Sequence, residues 1–500
     1  MSHSFWGDLA AWRARLTPYR AAACFRGRWF TYTELNQRAE RLAAQLTERG
    51  VGKGSRVGIL AHNHIAHLDL ILAAPKLGFV YTPFNYRLAG KEQCELANYV
   101  RPSLLLHDAA NEVHARGLNV PLIALDGYES WLLQAQPRAD AQAVGENDLH
   151  MLLFTGGSTG LPKAAMIPYR QTFANAANTA IAWGLNASHC VIQATPCFHA
   201  AVNAFATPLL WVGGRVVIME TFEPQAYLEM TEQLGVTQWF LVPTMYQMLA
   251  EHPRFAEAKV STVQWAISGG APCPARIAQI FRARGIRFRQ GYGMTEAGVN
   301  CFAISLEEAE RNPDAVGYPM PGLDAVIRNA SGHPVAHGET GELTLRGPVV
   351  CDGYYERPDE TAQSFSQGWL WTGDLATRDE HGLHRIVGRR KEMFISGGEN
   401  VFPVEVETAL YALPEIAECA VMGVPHPRWG EVGLAAICLR PGHEPDEEVL
   451  TTRLREKLAA YKVPRVFLFV EAMPKTGAGK IDKPALRATY LQHVQQTERA

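Results

Sequence analysis

The residues best suited to chemistry begin at Phe154-Thr155-Gly156-Gly157-Ser158-Thr159-Gly160-Leu161-Pro162-Lys163. Three glycines let this backbone turn sharply and approach an anion with no Cβ in the way. Hydroxyls at Thr155, Ser158 and Thr159, exposed backbone N–H groups and the Lys163 ammonium can all bond or neutralise phosphate oxygens. The spacing is not that of the nucleotide loop in which Gly-Lys-Ser/Thr opens a helix. A short extended run, closed by Pro168, follows instead. By itself a Gly/Ser loop is more often an ordinary turn, so the rest of the chain has to agree.

Further chemistry-bearing segments follow in order: Pro196-Cys197-Phe198-His199-Ala200, Ser268-Gly269-Gly270-Ala271-Pro272, and Gln290-Gly291-Tyr292-Gly293-Met294-Thr295-Glu296. Then come Trp371-Thr372-Gly373-Asp374, Gly388-Arg389-Arg390-Lys391-Glu392, Ser396-Gly397-Gly398-Glu399-Asn400 and Pro474-Lys475-Thr476-Gly477-Ala478-Gly479-Lys480-Ile481. Each has a plain reading alone. A His beside Phe is usually a satisfied core residue, an Asp after Thr-Gly a turn residue, a Lys in a Gly-rich loop a solvated charge. Together, and in this order, they resemble the adenylate-forming superfamily: acyl-CoA synthetases, adenylation domains of peptide synthetases and beetle luciferases. The chain is most similar to short bacterial CoA ligases of the fatty-acid and coumarate type. The family loop usually reads Thr-Ser-Gly-Thr-Thr-Gly-x-Pro-Lys-Gly. Gly156 and Ala164 depart from it, while Thr155, Ser158, Thr159 and Lys163 remain.

The resemblance implies roles for these residues. Thr155, Gly156, Gly157, Ser158, Thr159, Gly160 and Lys163 form the phosphate loop. His199 gates the acid pocket. Ser268, Gly269, Gly270 and Ala271 form a pocket wall against adenine and acyl group, and Gln290, Gly291, Gly293 and Met294 belong with them to the nucleotide-binding set. Tyr292 stacks on adenine, Thr295 bonds the α-phosphate, and Glu296 is the oxygen ligand of Mg²⁺, which suits so hard a cation. Asp374 accepts from both ribose hydroxyls, with Arg389 as a second contact. Lys391 is the pivot of a hinge, Gly397 and Gly398 line the narrow path of a thiol, and Lys480 stabilises charge during adenylation. The catalytic set is therefore Lys480, Thr155, His199 and Glu296. Val202, Asn203, Phe205, Trp239, Thr244 and Met294 join His199 around the acid.

The elements that must position these residues alternate. Thr31-Tyr32-Thr33-Glu34 reads as a capping box ahead of a helix through Leu35, Ala39, Leu42 and Leu46. Strands are predicted at Arg56 to Leu60, Gly78 to Tyr81, Leu104 to Leu106, Val191-Ile192, Val216 to Ile218 and Trp239 to Val242, with a helix at Leu68 to Lys76. That order argues for parallel α/β layers. After about residue 320, short strands with Gly-rich turns suggest a β subdomain. The last stretch reads helix, strand, strand, helix, strand. The expected fold class is α/β: a large N-terminal domain of layered α/β sheets plus a β subdomain at 1–388, a hinge at 389–391, and a small mobile C-terminal α+β lid at 392–500.

At 500 residues the chain exceeds the size of one hydrophobic core. Its formal net charge of -3 gives no reason to expect nucleic-acid binding. Nine cysteines without a CxxC pair indicate free thiols in a reducing compartment, hence a cytoplasmic protein. No stretch has the ~20 apolar residues of a membrane span. The resemblance implies an AMP-forming acyl-CoA ligase using ATP, Mg²⁺ and CoA, with an acyl-carrier protein and a second copy among the partners it allows. An Asp that amino-acid-activating domains carry is replaced here by Phe198-His199, and the Trp of acetate-specific enzymes is absent near Thr295-Glu296. The acid is then a medium-to-long fatty acid or an aromatic, cinnamate-like one. The alternatives are an adenylation enzyme that loads a carrier protein and a non-catalytic acyl or nucleotide binder.

Overall fold

The computed structural model describes residues 8–137, 144–156, 161–475 and 481–497. Gly157, Ser158, Thr159, Gly160 and Lys480 lie outside the described residues. The chain forms two compact units.

The first unit comprises Met1–Cys273, Ile280–Ala325 and Leu345–Leu370. It holds two large sheets. One runs Arg287–Gln290, Trp265–Ser268, Gln238–Leu241, Cys190–Gln193, Arg215–Ile218, Ala21–Phe25, Arg28–Thr31, parallel except for its terminal hairpin. The other runs Leu122–Ala124, Leu104–His107, Arg56–Leu60, Val80–Pro83, Leu149–Thr155, Lys163–Pro168, again with only the last pair antiparallel. Both are the layered α/β architecture expected. The Thr31 capping box forms: Oγ1 accepts from the Glu34 amide while Glu34 accepts from the Thr31 amide, opening the helix Tyr32–Thr47. One strand starts later than its sequence suggests. Gly78 adopts φ 75° and caps the helix Ile65–Leu77, its N–H reaching the Ala74 carbonyl at 2.7 Å, so the strand begins at Val80.

The second unit comprises Pro274–Gln279, Val326–Thr344 and Trp371–Ala500. The expected hinge at 389–391 lies inside it, because its surroundings are laced to the β strands before it. Asp374 pairs with Arg389 in the antiparallel ladder of Trp369–Arg378 and His384–Arg389. The Arg390 N–H reaches the Gly373 carbonyl at 2.9 Å, and its guanidinium meets Glu342 at 3.2 Å. Beyond this, Ile416–His426 and Gly430–Leu439 form a long hairpin, joined in parallel by Val466–Phe469 and covered by the helix Pro403–Tyr411. Leu410, Val421, Ile437 and Leu454 share one core there. Among the described residues no helix is long and apolar enough to cross a membrane.

Burial keeps three imidazoles of the first unit neutral. It lowers His64 to about 4, His67 to about 3 and His150 to about 4. His64 needs its free ring nitrogen, which accepts from the Ala66 amide at 3.1 Å, and His150 stacks on Tyr169 at 4.4 Å. In the unfolded chain these rings take up protons below about pH 6.5, whereas the folded rings stay neutral down to their lowered values. The unfolded state therefore binds more protons between about pH 6.5 and pH 4, and stability falls as the solution is acidified, by up to ~1.4 kcal/mol per pH unit for each histidine. The thermal midpoint is expected to drop across that window, and His150→Gln to shallow the drop. A midpoint that stays level would contradict neutral burial.

Candidate active site

In the seven-stranded sheet the strands Cys190–Gln193, Gln238–Leu241, Trp265–Ser268 and Arg287–Gln290 run parallel, so their C-terminal ends open on one edge. Strand order reverses around Cys190–Gln193, which lies between Gln238–Leu241 and Arg215–Ile218. Ligands of open parallel sheets bind at such a reversal, outside the C-terminal strand ends. The chain leaving Gln193 carries His199, half-buried, its ring 4.3 Å from that of Phe198, directly before the short helix Ala200–Asn203. Asn63 fixes this passage. Its Oδ1 accepts from the Cys197 amide at 2.7 Å, and its Nδ2 donates to the carbonyls of Thr195 at 3.1 Å and Met219 at 2.9 Å. Asn63 was not anticipated from sequence; its one signal is a polar residue directly ahead of an apolar helix.

The ends of Trp265–Ser268 and Arg287–Gln290 are tied to each other. The Gly291 amide donates to the Ser268 carbonyl at 2.8 Å. The Gln290 side chain is a clamp, accepting from the Cys273 amide at 3.0 Å and donating to the Pro313 carbonyl at 2.8 Å. A Cβ on Gly293 would overlap the Val299 carbonyl oxygen, so no other residue fits there. Ser268 and Gly269 are buried, and Gly270 and Ala271 are exposed. Tyr292 is half-buried, edge-on to Phe302 at 5.7 Å, and Met294 and Thr295 are also half-buried.

The expected phosphate loop departs from a pair of antiparallel strand ends. Leu149–Thr155 and Lys163–Pro168 set Thr155 opposite Lys163, with Gly156 exposed beyond. Lys163 Nζ lies 4.7 Å from the centre of the Tyr354 ring, a cation over an aromatic face. The Tyr354 hydroxyl donates to Glu296 Oε1 at 3.0 Å. Burial, and then the charge of Glu296, push that phenol well above its usual range, so it stays a donor. Lys163, Tyr354 and Glu296 thus form one continuous group, and Tyr354 is a member that sequence reasoning missed. Glu296 is 6% exposed, and its second oxygen has no hydrogen-bond or ion-pair partner among the described residues. A hard carboxylate oxygen of this kind fits a magnesium ion that draws its other ligands from water and phosphate.

The expected acid wall is partly brought together. Phe205 is buried, stacked on Trp183 at 5.1 Å and 5.5 Å from Phe240. Val202 and Asn203 are buried beside it in sequence, while Thr244 is exposed. Trp239 is not part of this group. It is fully buried, donates to Thr231 Oγ1 at 3.2 Å and meets Tyr227 and Phe281 edge-on. Successive strand residues face opposite ways, so Phe240 stands where Trp239 was expected, 3.2 Å from where a Gly269 Cβ would lie.

In the second unit Asp374 is buried and pairs with Arg389 Nε at 3.0 Å. Lys391 is exposed in the turn after His384–Arg389. Gly397 and Gly398 form the tip of the hairpin Phe394–Ser396/Glu399–Val401, with φ of 62° and 91°. A two-residue turn of that kind requires positive φ at both positions. The Trp429 ring would also lie 2.9 Å from a Gly397 Cβ.

The AMP-binding enzyme family matches residues 10–355, and the AMP-binding enzyme C-terminal domain matches residues 405–480. A feruloyl-CoA synthase of Amycolatopsis sp is 39% identical over 492 residues, covering 96% of this chain and 99% of that protein. An indoleacetate–CoA ligase of Aromatoleum aromaticum is 32% identical over 499 residues, covering 96% and 98%. Among solved structures, o-succinylbenzoate coenzyme A synthetase (MenE) from Bacillus subtilis, in complex with ATP and magnesium ion, is similar with a TM-score of 0.87 and 27% identity, covering 96% of this chain and 99% of that one. The chain belongs to the AMP-binding enzyme family, and with it to the adenylate-forming superfamily, as an acid–thiol ligase.

Proposed function

We propose that this enzyme joins a bulky, apolar carboxylic acid, aromatic and cinnamate-like, to coenzyme A at the expense of ATP. The observation that carries the choice of acid is the aromatic pair Phe205 and Phe240, 5.5 Å apart, with Phe240 facing the bare backbone at Gly269. Aromatic acids also stand in the names of the two relatives above.

In the first half-reaction the acid's carboxylate attacks the α-phosphorus of ATP in line. Pyrophosphate leaves and the acyl-adenylate remains. Two anions must meet, so charge neutralisation and positioning dominate. Thr155, Gly156, Gly157, Ser158, Thr159, Gly160 and Lys163 hold the leaving phosphates, Thr295 the α-phosphate, and Tyr292 the adenine face. Asp374 accepts from the ribose hydroxyls beside Arg389, and His199 orients the acid. Glu296 would hold magnesium, which would supply further positive charge to the site. Lys480 offsets charge as the new P–O bond forms. In the second half-reaction the thiol attacks the acyl carbon and AMP leaves. A C-terminal lid, residues 392–500, turns on 389–391 between the steps and presents Gly397 and Gly398 to the thiol. Conformational gating of this sort lets one pocket serve two reactions.

Incubation with ATP, Mg²⁺, CoA and a panel of cinnamate-like, fatty and amino acids is expected to release AMP and pyrophosphate, fastest with the cinnamates. A preference for long aliphatic acids would reverse the acid assignment, and thioester formed only on a phosphopantetheinylated carrier protein would reverse the acceptor. Lys480→Ala is expected to slow pyrophosphate release about 100-fold or more, while thioester formation from supplied acyl-adenylate continues. Equal loss in both steps would contradict its role. Lys391→Pro, which fixes φ, is expected to slow the second step about tenfold or more with the first nearly unchanged. An unaffected second step would move the pivot elsewhere.

A further inference from the structure

The helix Tyr169–Ala182 carries an unusual row of buried polar side chains. Gln171 and Asn175 are each 1% exposed, and Thr179 is fully buried. Residues spaced by four lie one above the other on a helix face. Such groups are costly to bury unless their bonds are made. Gln171 Nε2 donates to the Thr295 carbonyl at 2.9 Å, and Asn175 Nδ2 donates to the Asn203 carbonyl at 2.7 Å. One turn of helix therefore grips the loop of Thr295 and Glu296 with one amide and the turn after His199 with the next.

Two further observations meet at the same place. Gln171, Asn175, Asn203, Thr295 and Val299 all line one cavity of about 10 Å³. Val299, in the gripped loop, has φ 73°, a left-handed conformation rare for a β-branched residue. Conformations of that kind persist only where surrounding contacts impose them.

We propose that Gln171 and Asn175 are positioning residues: Gln171 sets the phosphate-side loop, Asn175 sets the acid-side turn, and the shared helix keeps the two in register. This rests on the roles proposed for Thr295, Glu296 and His199. The two amides touch neither ATP nor acid in that reading, and act through the carbonyls they hold.

The test compares Gln171→Met, Asn175→Leu and Thr172→Val in the full-length enzyme. Thr172 lines the same cavity and bonds His150 at 3.0 Å, but grips neither segment, so it reports the structural cost alone. Pyrophosphate release and the thermal midpoint are read for each. Gln171→Met is expected to raise the KM for ATP about tenfold with the acid KM within about twofold, and Asn175→Leu to do the reverse, each matching one lost buried hydrogen bond. Thr172→Val is expected to lower the midpoint and leave both KM values. If all three variants lose kcat in step with the midpoint and no KM separates them, the inference is overturned. Where a variant does not fold, Gln171→Asn or Asn175→Ser, which keep a shorter donor, must show the same separation, and its absence also overturns the inference. If the wild-type enzyme releases no pyrophosphate with any acid, the ligase reading fails. The rise in thermal midpoint with ATP and Mg²⁺ then replaces the ATP KM, and an undiminished rise in Gln171→Met overturns the inference by itself.

Discussion

Strand direction is the constraint on which the first unit depends. Because Cys190–Gln193, Gln238–Leu241, Trp265–Ser268 and Arg287–Gln290 are parallel, each must finish at the same edge, and each return must cross over through a separate connection. The segments that leave that edge soon run beyond the ladder, and in this chain they hold His199, Gly269 and Tyr292. Parallel geometry also buries both faces of each strand. The loops at the edge then have little polar partnership from the sheet itself. Side-chain amides supply it: Asn63 under the His199 passage, Gln290 between Cys273 and Pro313, Asn175 and Gln171 from the neighbouring helix.

Strand and helix existence was legible because the patterns that produce it are local. Thr31 and Glu34 cap one helix whatever the rest of the fold does, and Pro168 ends its edge strand because it has no N–H to carry a ladder further. What was not legible required knowing which side of a strand faces which layer. Gln238-Trp239-Phe240-Leu241 is buried or half-buried throughout, so it shows no alternation from which to choose Phe240 over Trp239. Tyr354 was hidden for a different reason. It reaches Glu296 from 58 positions away, and no local pattern marks a tyrosine that will serve as a buried donor.

Glycine carries two separate meanings in this chain. At Gly293 the absence of a side chain is a matter of space, since the Val299 carbonyl occupies the volume. At Gly397 and Gly398 it is first a matter of backbone conformation, with positive φ in a two-residue turn, and at Gly397 also of space beside Trp429. From sequence, Gly397 and Gly398 were expected to clear a path for a thiol, and Gly293 to belong to the nucleotide motif. Local geometry already demands glycine at each of these positions, whatever ligand passes them.

The loop from Gly293 to Asn300 shows how such a site is stabilised. A left-handed Val299 costs roughly 1–3 kcal/mol relative to an unstrained residue. Against this stand several buried hydrogen bonds, each contributing about 1 kcal/mol net. The Val299 amide reaches the Met294 carbonyl at 3.0 Å, Asn300 Nδ2 donates to Thr179 Oγ1 at 2.9 Å and to the Ala204 carbonyl at 3.1 Å, and the Cys351 amide donates to the Glu296 carbonyl at 2.8 Å. These anchors come from the helix Tyr169–Ala182, the Asn203–Ala204 region and the segment before Tyr354. Together they are of the size needed to offset the strain. The loop that carries Thr295 and Glu296 is therefore tied to the correct folding of three distant parts of the same unit, which fixes its carboxylate before any substrate arrives.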